Sequence, residues 1–169
     1  GRTVDATYLL LDRATGAPRA LLDGEALTVR RTAATSALAA RVLARDDAAT
    51  LLLVGTGRLA PWMARAHVAA RPALRRVLVW GRDAAAVAGL ADTLRREGIP
   101  AEVAPRLSEA VHEADIISCA TTATVPVVHG DWLRPGTHLD LVGAFTPQMR
   151  EVDDTAVQRA RVIVDVLAS

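Results

Sequence analysis

Two hydrophobic rhythms alternate along this chain. Four short stretches, 50–54, 76–80, 116–121 and 137–144, are rich in apolar residues and bounded by turn chemistry. The first two (TLLLV and RVLVW) are nearly continuous instead of alternating, the pattern of a strand buried on both faces of a parallel sheet. Between the strands the period lengthens. Leu59, Met63, Ala66 and Ala70 recur at helical spacing, as do Val87, Leu90, Ala91 and Leu94, whose helix spans 84–97 with Gly98 as its stop. The spacing further predicts a short strand at 101–103, a short helix at 108–113 capped by Ser108, a helix at 151–159 and a last strand at 162–165. This alternation is that of an α/β, Rossmann-like, doubly wound parallel sheet.

The first part of the chain reads differently. Strand-like runs at 7–12 and 19–23 flank Ala14-Thr15-Gly16-Ala17-Pro18, so they form a hairpin. Two strands alone are marginally stable, so this pair is expected to belong to a sheet completed from elsewhere. An alanine-rich helix follows over 28–45, with Thr28 as N-cap and small residues on most faces, suited to tight packing on both sides. Arg31 sits in its first turns, where a guanidinium could fork onto a carboxylate or lie solvated.

The candidate chemistry is concentrated in one turn, Val54-Gly55-Thr56-Gly57-Arg58-Leu59-Ala60, a G-x-G-x-x-A pattern between a strand and a helix. Gly55 allows the tight bend, Gly57 lets backbone approach a pyrophosphate, and Ala60 lets helix and strand pack closely. The helix N-terminus adds free N–H groups and a positive dipole end. About 20 residues past such glycines, NAD sites place an acidic residue on the ribose. Here that position falls on Gly81, and Arg82 follows at once, the arrangement expected for a 2′-phosphate and hence for NADP over NAD. Asp83 is the N-cap of the next helix or, one register along, a ribose ligand. Ligands of open α/β sheets lie outside the carboxyl ends of the strands, which places Cys119, Ala120, Thr121, Val142 and Gly143 beside the dinucleotide. Cys119 has no evident base partner and is expected to be inert.

Composition narrows the class. The 169 residues are 51% hydrophobic, enough for one domain with a sizeable core or one domain plus a piece. A formal net charge of +1 and 3% aromatic residues leave neither an electrostatic footprint nor stacking platforms for nucleic acid. The single cysteine permits no internal disulfide and fits a reducing cytoplasm. No membrane span or signal peptide is visible. His67, His112, His129 and His138 are scattered without metal-ligand spacing and read as surface or core residues. The abrupt start at Gly1 and stop at Ser169 read as an excised domain.

Several stretches together resemble the ornithine cyclodeaminase/mu-crystallin family: Arg31-Thr32-Ala33-Ala34-x-Ser36, the Gly55-x-Gly57 turn, Ala114-Asp115-Ile116-Ile117, Trp132-Leu133-x-Pro135-Gly136, and Val142-Gly143-Ala144 through Arg150-Glu151. The resemblance implies homodimers of two-domain subunits and a small amino-acid-derived substrate. It divides the chain into part of a substrate and dimerisation domain (1–27, the hairpin), a connecting helix carrying the substrate arginine (28–46) and a dinucleotide-binding Rossmann domain (47–169). Arg31 then corresponds to the arginine that grips the substrate carboxylate. Gly55, Thr56, Gly57 and Leu59 correspond to the pyrophosphate site, and Gly81, Arg82 and Asp83 to the adenosine-phosphate corner of NADPH-binding members. The family's catalytic lysine is expected upstream of the hairpin, outside this sequence, so the fragment itself is expected to be almost inactive. Where cyclodeaminases carry an aspartate after the late strand, Phe145 stands here. The implied activity is NADPH-dependent reduction of a cyclic imino acid, of the 1-pyrroline-2-carboxylate or 1-piperideine-2-carboxylate type. The alternatives are an ornithine cyclodeaminase with bound NAD and a non-catalytic mu-crystallin-like NADPH binder.

Overall fold

A computed structural model describes residues 6–164. Its central feature is a five-stranded, all-parallel sheet in the order β5-β4-β3-β6-β7. The strands are β3 (Thr50–Val54), β4 (Arg76–Trp80), β5 (Ala101–Val103), β6 (Ile116–Cys119) and β7 (His138–Leu141). The chain starts at the middle strand, works outward to β5, then crosses back to place β6 on the other side of β3. Strand order therefore reverses between β3 and β6, and that is where an open α/β sheet forms its ligand crevice.

The apolar runs bury both faces, as continuous hydrophobicity requires. Leu51, Leu53, Val77, Val79 and Ile116 face one core, shared with α1 (Gly24–Leu43), α2 (Ala60–Ala70) and α3 (Ala84–Arg96). Leu52, Val54, Leu78, Ile117 and Cys119 face a second core, shared with α4 (Leu107–Glu113) and α5 (Asp154–Arg159). Each run thus alternates between two filled layers, the period of two expected of any strand.

The hairpin, β1 (Thr7–Leu11) and β2 (Pro18–Asp23), forms a separate two-stranded antiparallel sheet. Asp12 closes its turn, accepting from the Ala14 and Thr15 N–H groups at 3.0 and 2.9 Å and from Arg19 Nε and Nη2. The Arg19 guanidinium, helped by those N–H groups, lowers the Asp12 pKa to about 2. Tyr8, Leu9, Leu10, Leu11, Leu21 and Leu22 remain exposed.

α1 begins four residues before the expected start. Asp23, not Thr28, is its N-cap, accepting from Glu25 and Ala26 N–H at 2.9 and 3.0 Å. Thr28 lies a turn inside, where its hydroxyl donates to the Gly24 carbonyl. α1 docks on α2 through Ala33 and Ala40, which share a core with Met63 and Ala64, and the Arg30 and Arg65 guanidiniums each lie over the Trp62 ring, 4.2 and 4.8 Å from its centre. Arg65 in turn forks onto Glu97 at 2.7 and 2.6 Å.

Three further expectations need correction. α4 starts at Leu107, and Ser108 does not cap it; the cap position is Arg106, with no side-chain bond. The helix expected over 151–159 is only α5, capped by Asp153, because Glu151 and Val152 are buried in the preceding segment. No strand forms over 161–164, where an apolar run finds no neighbouring edge among the described residues; residue 165 lies outside them. Among the described residues no helix is long and apolar enough to cross a membrane, and no group of His, Cys, Asp and Glu is arranged to hold a metal.

Candidate dinucleotide site

The turn after β3 is built as its sequence predicts. Gly55 has φ +117°, closed to residues with a Cβ at ordinary cost, and its N–H donates to the Trp80 carbonyl at 2.9 Å. A Cβ there would stand 2.6 Å from the Ala120 carbonyl oxygen, so the ends of β3 and β6 are in close contact at the crevice. Gly57 is the opposite case. It is exposed, and a Cβ on it would meet no atom within 4 Å. The space over Gly57 is therefore open to whatever lies across the turn.

α2 starts without a side-chain cap at Leu59, with Pro61 in its first turn. Ala60 N–H bonds back to the Gly57 carbonyl, whereas Gly57, Arg58 and Leu59 N–H donate to no partner among the described residues. Uncapped donors at the positive end of a helix, beside open space, form an anion cradle. Arg58 also forms an ion pair with Glu25 of α1, tying this turn to the helix that carries Arg31.

The adjoining corner lies at the end of β4. A Cβ on Gly81 would be 2.9 Å from Thr56 Cγ2, so Gly81 and the glycine turn form one surface. Arg82 is exposed. Asp83 is the N-cap of α3, with Ala85 and Ala86 N–H donating to it at 2.9 and 3.2 Å.

The other side of the crevice is made by the ends of β6 and β7. Thr121 and Gly143 are packed so closely that a Cβ on Gly143 would come 2.0 Å from the Thr121 carbonyl oxygen. Val142 N–H donates to the Cys119 carbonyl at 3.0 Å. Cys119 ends β6 on this side as expected, but its side chain is fully buried in the second core, so only its backbone could face a ligand. Burial, with Glu151 and Asp140 nearby, pushes its thiol pKa well up. Ala120 and Thr121 remain partly open.

Two carboxylates that the sequence did not single out organise this side. Glu151, 1% exposed, accepts from Thr121 N–H at 2.7 Å, Thr121 Oγ1 at 2.9 Å and Gly143 N–H at 2.8 Å. Asp140 accepts from Ser118 Oγ at 2.9 Å. Burial raises the Asp140 pKa, while hydrogen bonding from Ser118 and from Ser36 of α1 works the other way. The structure thus brings Gly55, Thr56, Gly57, Leu59, Gly81, Ala120, Thr121, Val142 and Gly143 to one end of the sheet. Arg31 stands apart on the exposed side of α1, with no side-chain partner among the described residues.

The profile of the ornithine cyclodeaminase/mu-crystallin family matches residues 1–169, and the chain belongs to that family. Among its relatives is "Protein SAR DEFICIENT 4" of Arabidopsis thaliana, 45% identical over 166 residues, 96% of this chain and 51% of that protein. The Delta(1)-pyrroline-2-carboxylate reductase of Paracoccus denitrificans is 44% identical over 165 residues, 96% of this chain and 52% of that one. A solved structure, the Delta(1)-pyrroline-2-carboxylate reductase of Thermococcus litoralis with NADH and L-proline, superposes with a TM-score of 0.84 at 35% identity, covering 90% of this chain and 47% of that one. The chain spans about half the length of the curated relatives it matches.

Proposed function

We propose that the whole protein to which this chain belongs reduces a cyclic imino acid of the 1-pyrroline-2-carboxylate or 1-piperideine-2-carboxylate type, using a nicotinamide dinucleotide as hydride donor and NADPH in preference to NADH. The observation that carries the reading is the cradle at the switch point: open space over Gly57, unpartnered N–H groups at the start of α2, and Gly81-Arg82 beside Thr56. These residues fit a pyrophosphate and an adenosine bearing an extra phosphate. The names of the reductases to which the chain is similar support the substrate class. The bound dinucleotide would supply the hydride; the protein's part is to position it.

In this reading Gly57, Arg58 and Leu59 N–H hold the pyrophosphate, Arg82 holds the 2′-phosphate, and Arg31 grips the substrate carboxylate. The 169 residues contain no lysine, so the lysine implied by the family resemblance has no counterpart in this chain, and the chain alone should turn over almost nothing. A homodimer working in the cytoplasm completes the proposal. The second reading is a cyclodeaminase that converts ornithine to proline, and exposed Phe145 speaks against it. An aromatic ring cannot accept a proton or stabilise an iminium as a carboxylate can.

The test is an assay of the whole protein with 1-pyrroline-2-carboxylate, NADPH or NADH, and with ornithine, alongside R82A. A charge-assisted contact to phosphate is worth roughly 1.5–3 kcal/mol, so NADPH should bind about tenfold to a hundredfold more tightly than NADH, and R82A should erase the difference. Equal affinity in the wild type would overturn the NADPH preference. Proline formed from ornithine faster than from the imino acid would overturn the reductase reading in favour of the lyase.

A further inference from the structure

We infer that Glu151 is a positioning residue that fixes the nicotinamide half of the dinucleotide site by locking two loops together. The inference rests on the dinucleotide reading above and assigns a task to a residue which that reading leaves idle.

The adenosine corner lies at the end of β4 and the pyrophosphate turn at the end of β3. A dinucleotide crossing the switch point must therefore lay its remaining half over the ends of β6 and β7. Those ends run into 120–123 and 142–145, two irregular segments with no regular ladder between them. Glu151 joins them. One carboxylate oxygen takes both donors of Thr121, and the other takes the N–H of Gly143. Its own backbone is fixed on the same side, since Val127 and Val128 N–H donate to the Glu151 carbonyl at 3.0 and 3.1 Å and Arg150 N–H to the Ala123 carbonyl at 2.7 Å. Gly143 admits the carboxylate only because it lacks a Cβ, which would stand 2.4 Å from Glu151 Oε1.

The chemistry requires an acceptor at both oxygens. All three partners are donors, and a buried donor left facing another donor is costly. Glutamine has nearly the same shape but offers one acceptor and one NH2 group. In E151Q either the Thr121 pair or the Gly143 N–H loses its acceptor, and one loop is released. The fault should then be confined to the β6–β7 side, because the glycine turn and Gly81 make no contact with Glu151 in the hydrogen-bond network.

The experiment compares two ligands by calorimetry on the whole protein, as wild type, E151Q and T121V: NADPH, and 2′-phospho-ADP-ribose, which keeps the adenosine phosphate and pyrophosphate but lacks nicotinamide. We expect E151Q to weaken NADPH about tenfold and to change the truncated ligand by less than about twofold. T121V, which removes the hydroxyl tie to Glu151 and with it the acceptor of the Ala123 N–H at 3.3 Å, should give a smaller loss with the same ligand selectivity, and T121S should restore the wild-type value. A merely structural role would weaken both ligands alike. Equal losses for the two ligands, or no loss of NADPH affinity, would overturn the inference, and if E151Q does not fold, T121V and T121S decide by the same comparison. A wild-type whole protein that binds neither ligand would instead bring down the dinucleotide reading, and the inference with it.

Discussion

The two ends of the parallel sheet are made of the same strands and finished in opposite ways. At the amino end, two charged side chains close off backbone groups. Asp115 accepts from Ala49 and Thr50 N–H at 2.9 and 3.1 Å and from Arg45 and Arg134. Arg71, almost fully buried, donates to the Ala40, Arg41, Arg45 and Asp46 carbonyls and so caps the end of α1. At the carboxyl end, helix α2 has no side-chain cap, the N–H groups of 57–59 have no partner among the described residues, and the space beside Gly57 is open. At the amino end charged side chains are turned onto the chain's own backbone; at the carboxyl end the start of α2 has no such partner. Substitutions should therefore separate cleanly, those at the amino end costing stability and those at the carboxyl end costing binding.

The largest effect should come from D115A. It strips the acceptor from two part-buried N–H groups and from two arginines in one step. At about 1–3 kcal/mol for each unsatisfied buried group, the loss should be roughly 3–4 kcal/mol in denaturant unfolding. The ion pairs themselves are half-exposed and add little. NADPH affinity of the folded fraction should be unchanged. A D115A protein of near wild-type stability, or one with selectively lost binding, would break the division between the ends.

The next effect depends on pH. His67, at the end of α2, is fully buried with neither ring nitrogen partnered among the described residues. Burial, with His138 and Arg71 nearby, lowers its pKa from 6.5 to about 4. The folded value lies below the unfolded one, so the unfolded chain binds the extra proton first. Stability is complete above about pH 6.5 and declines as pH falls toward 4. From pH 7.5 to 4.5 the loss should be about 2.5 kcal/mol, with His138, shifted the same way, adding to it. Denaturant unfolding at the two pH values measures it, and H67L should flatten the dependence. An unchanged slope in H67L would show that the acid sensitivity lies elsewhere.

This division also explains what the sequence could and could not reveal. The β3–turn–α2 unit was legible because its determinants are neighbours: an apolar run, two glycines and a small residue within one turn. Asp83 as a cap and Gly98 as a stop (φ +80°) were legible for the same reason. Asp23 is hard to read as the cap because it closes a strand as well as opening a helix, although Glu25 in the first turn is a usable cue. Glu151 could not be found locally, since its partner Thr121 lies 30 residues away and only folding makes a carboxylate there buried. The same holds for His67 and His138, far apart in sequence and electrostatically coupled in space. The run at 162–164 looked like a strand because β-branched residues fit one, but a strand also needs an edge to pair with.

The smallest effect on stability should be the most informative about binding. Gly57 is exposed and has no positive φ, so alanine there needs no unusual backbone. Its Cβ would meet no atom within 4 Å. On folding alone, G57A should be near neutral, within about 0.5 kcal/mol of wild type, the usual range for surface substitutions. A dinucleotide changes the balance, because the second glycine of the turn exists so that backbone can approach the pyrophosphate. A methyl group at that place would hold the phosphates away from the N–H groups of 57–59. Losing one or two charge-assisted hydrogen bonds at about 1.5 kcal/mol or more each would lower affinity by at least about tenfold. NADPH fluorescence titration and thermal unfolding of G57A measure the two quantities side by side. A stable variant that binds as tightly as wild type would mean that the pyrophosphate does not cross this turn, and the open space over Gly57 would then need another occupant.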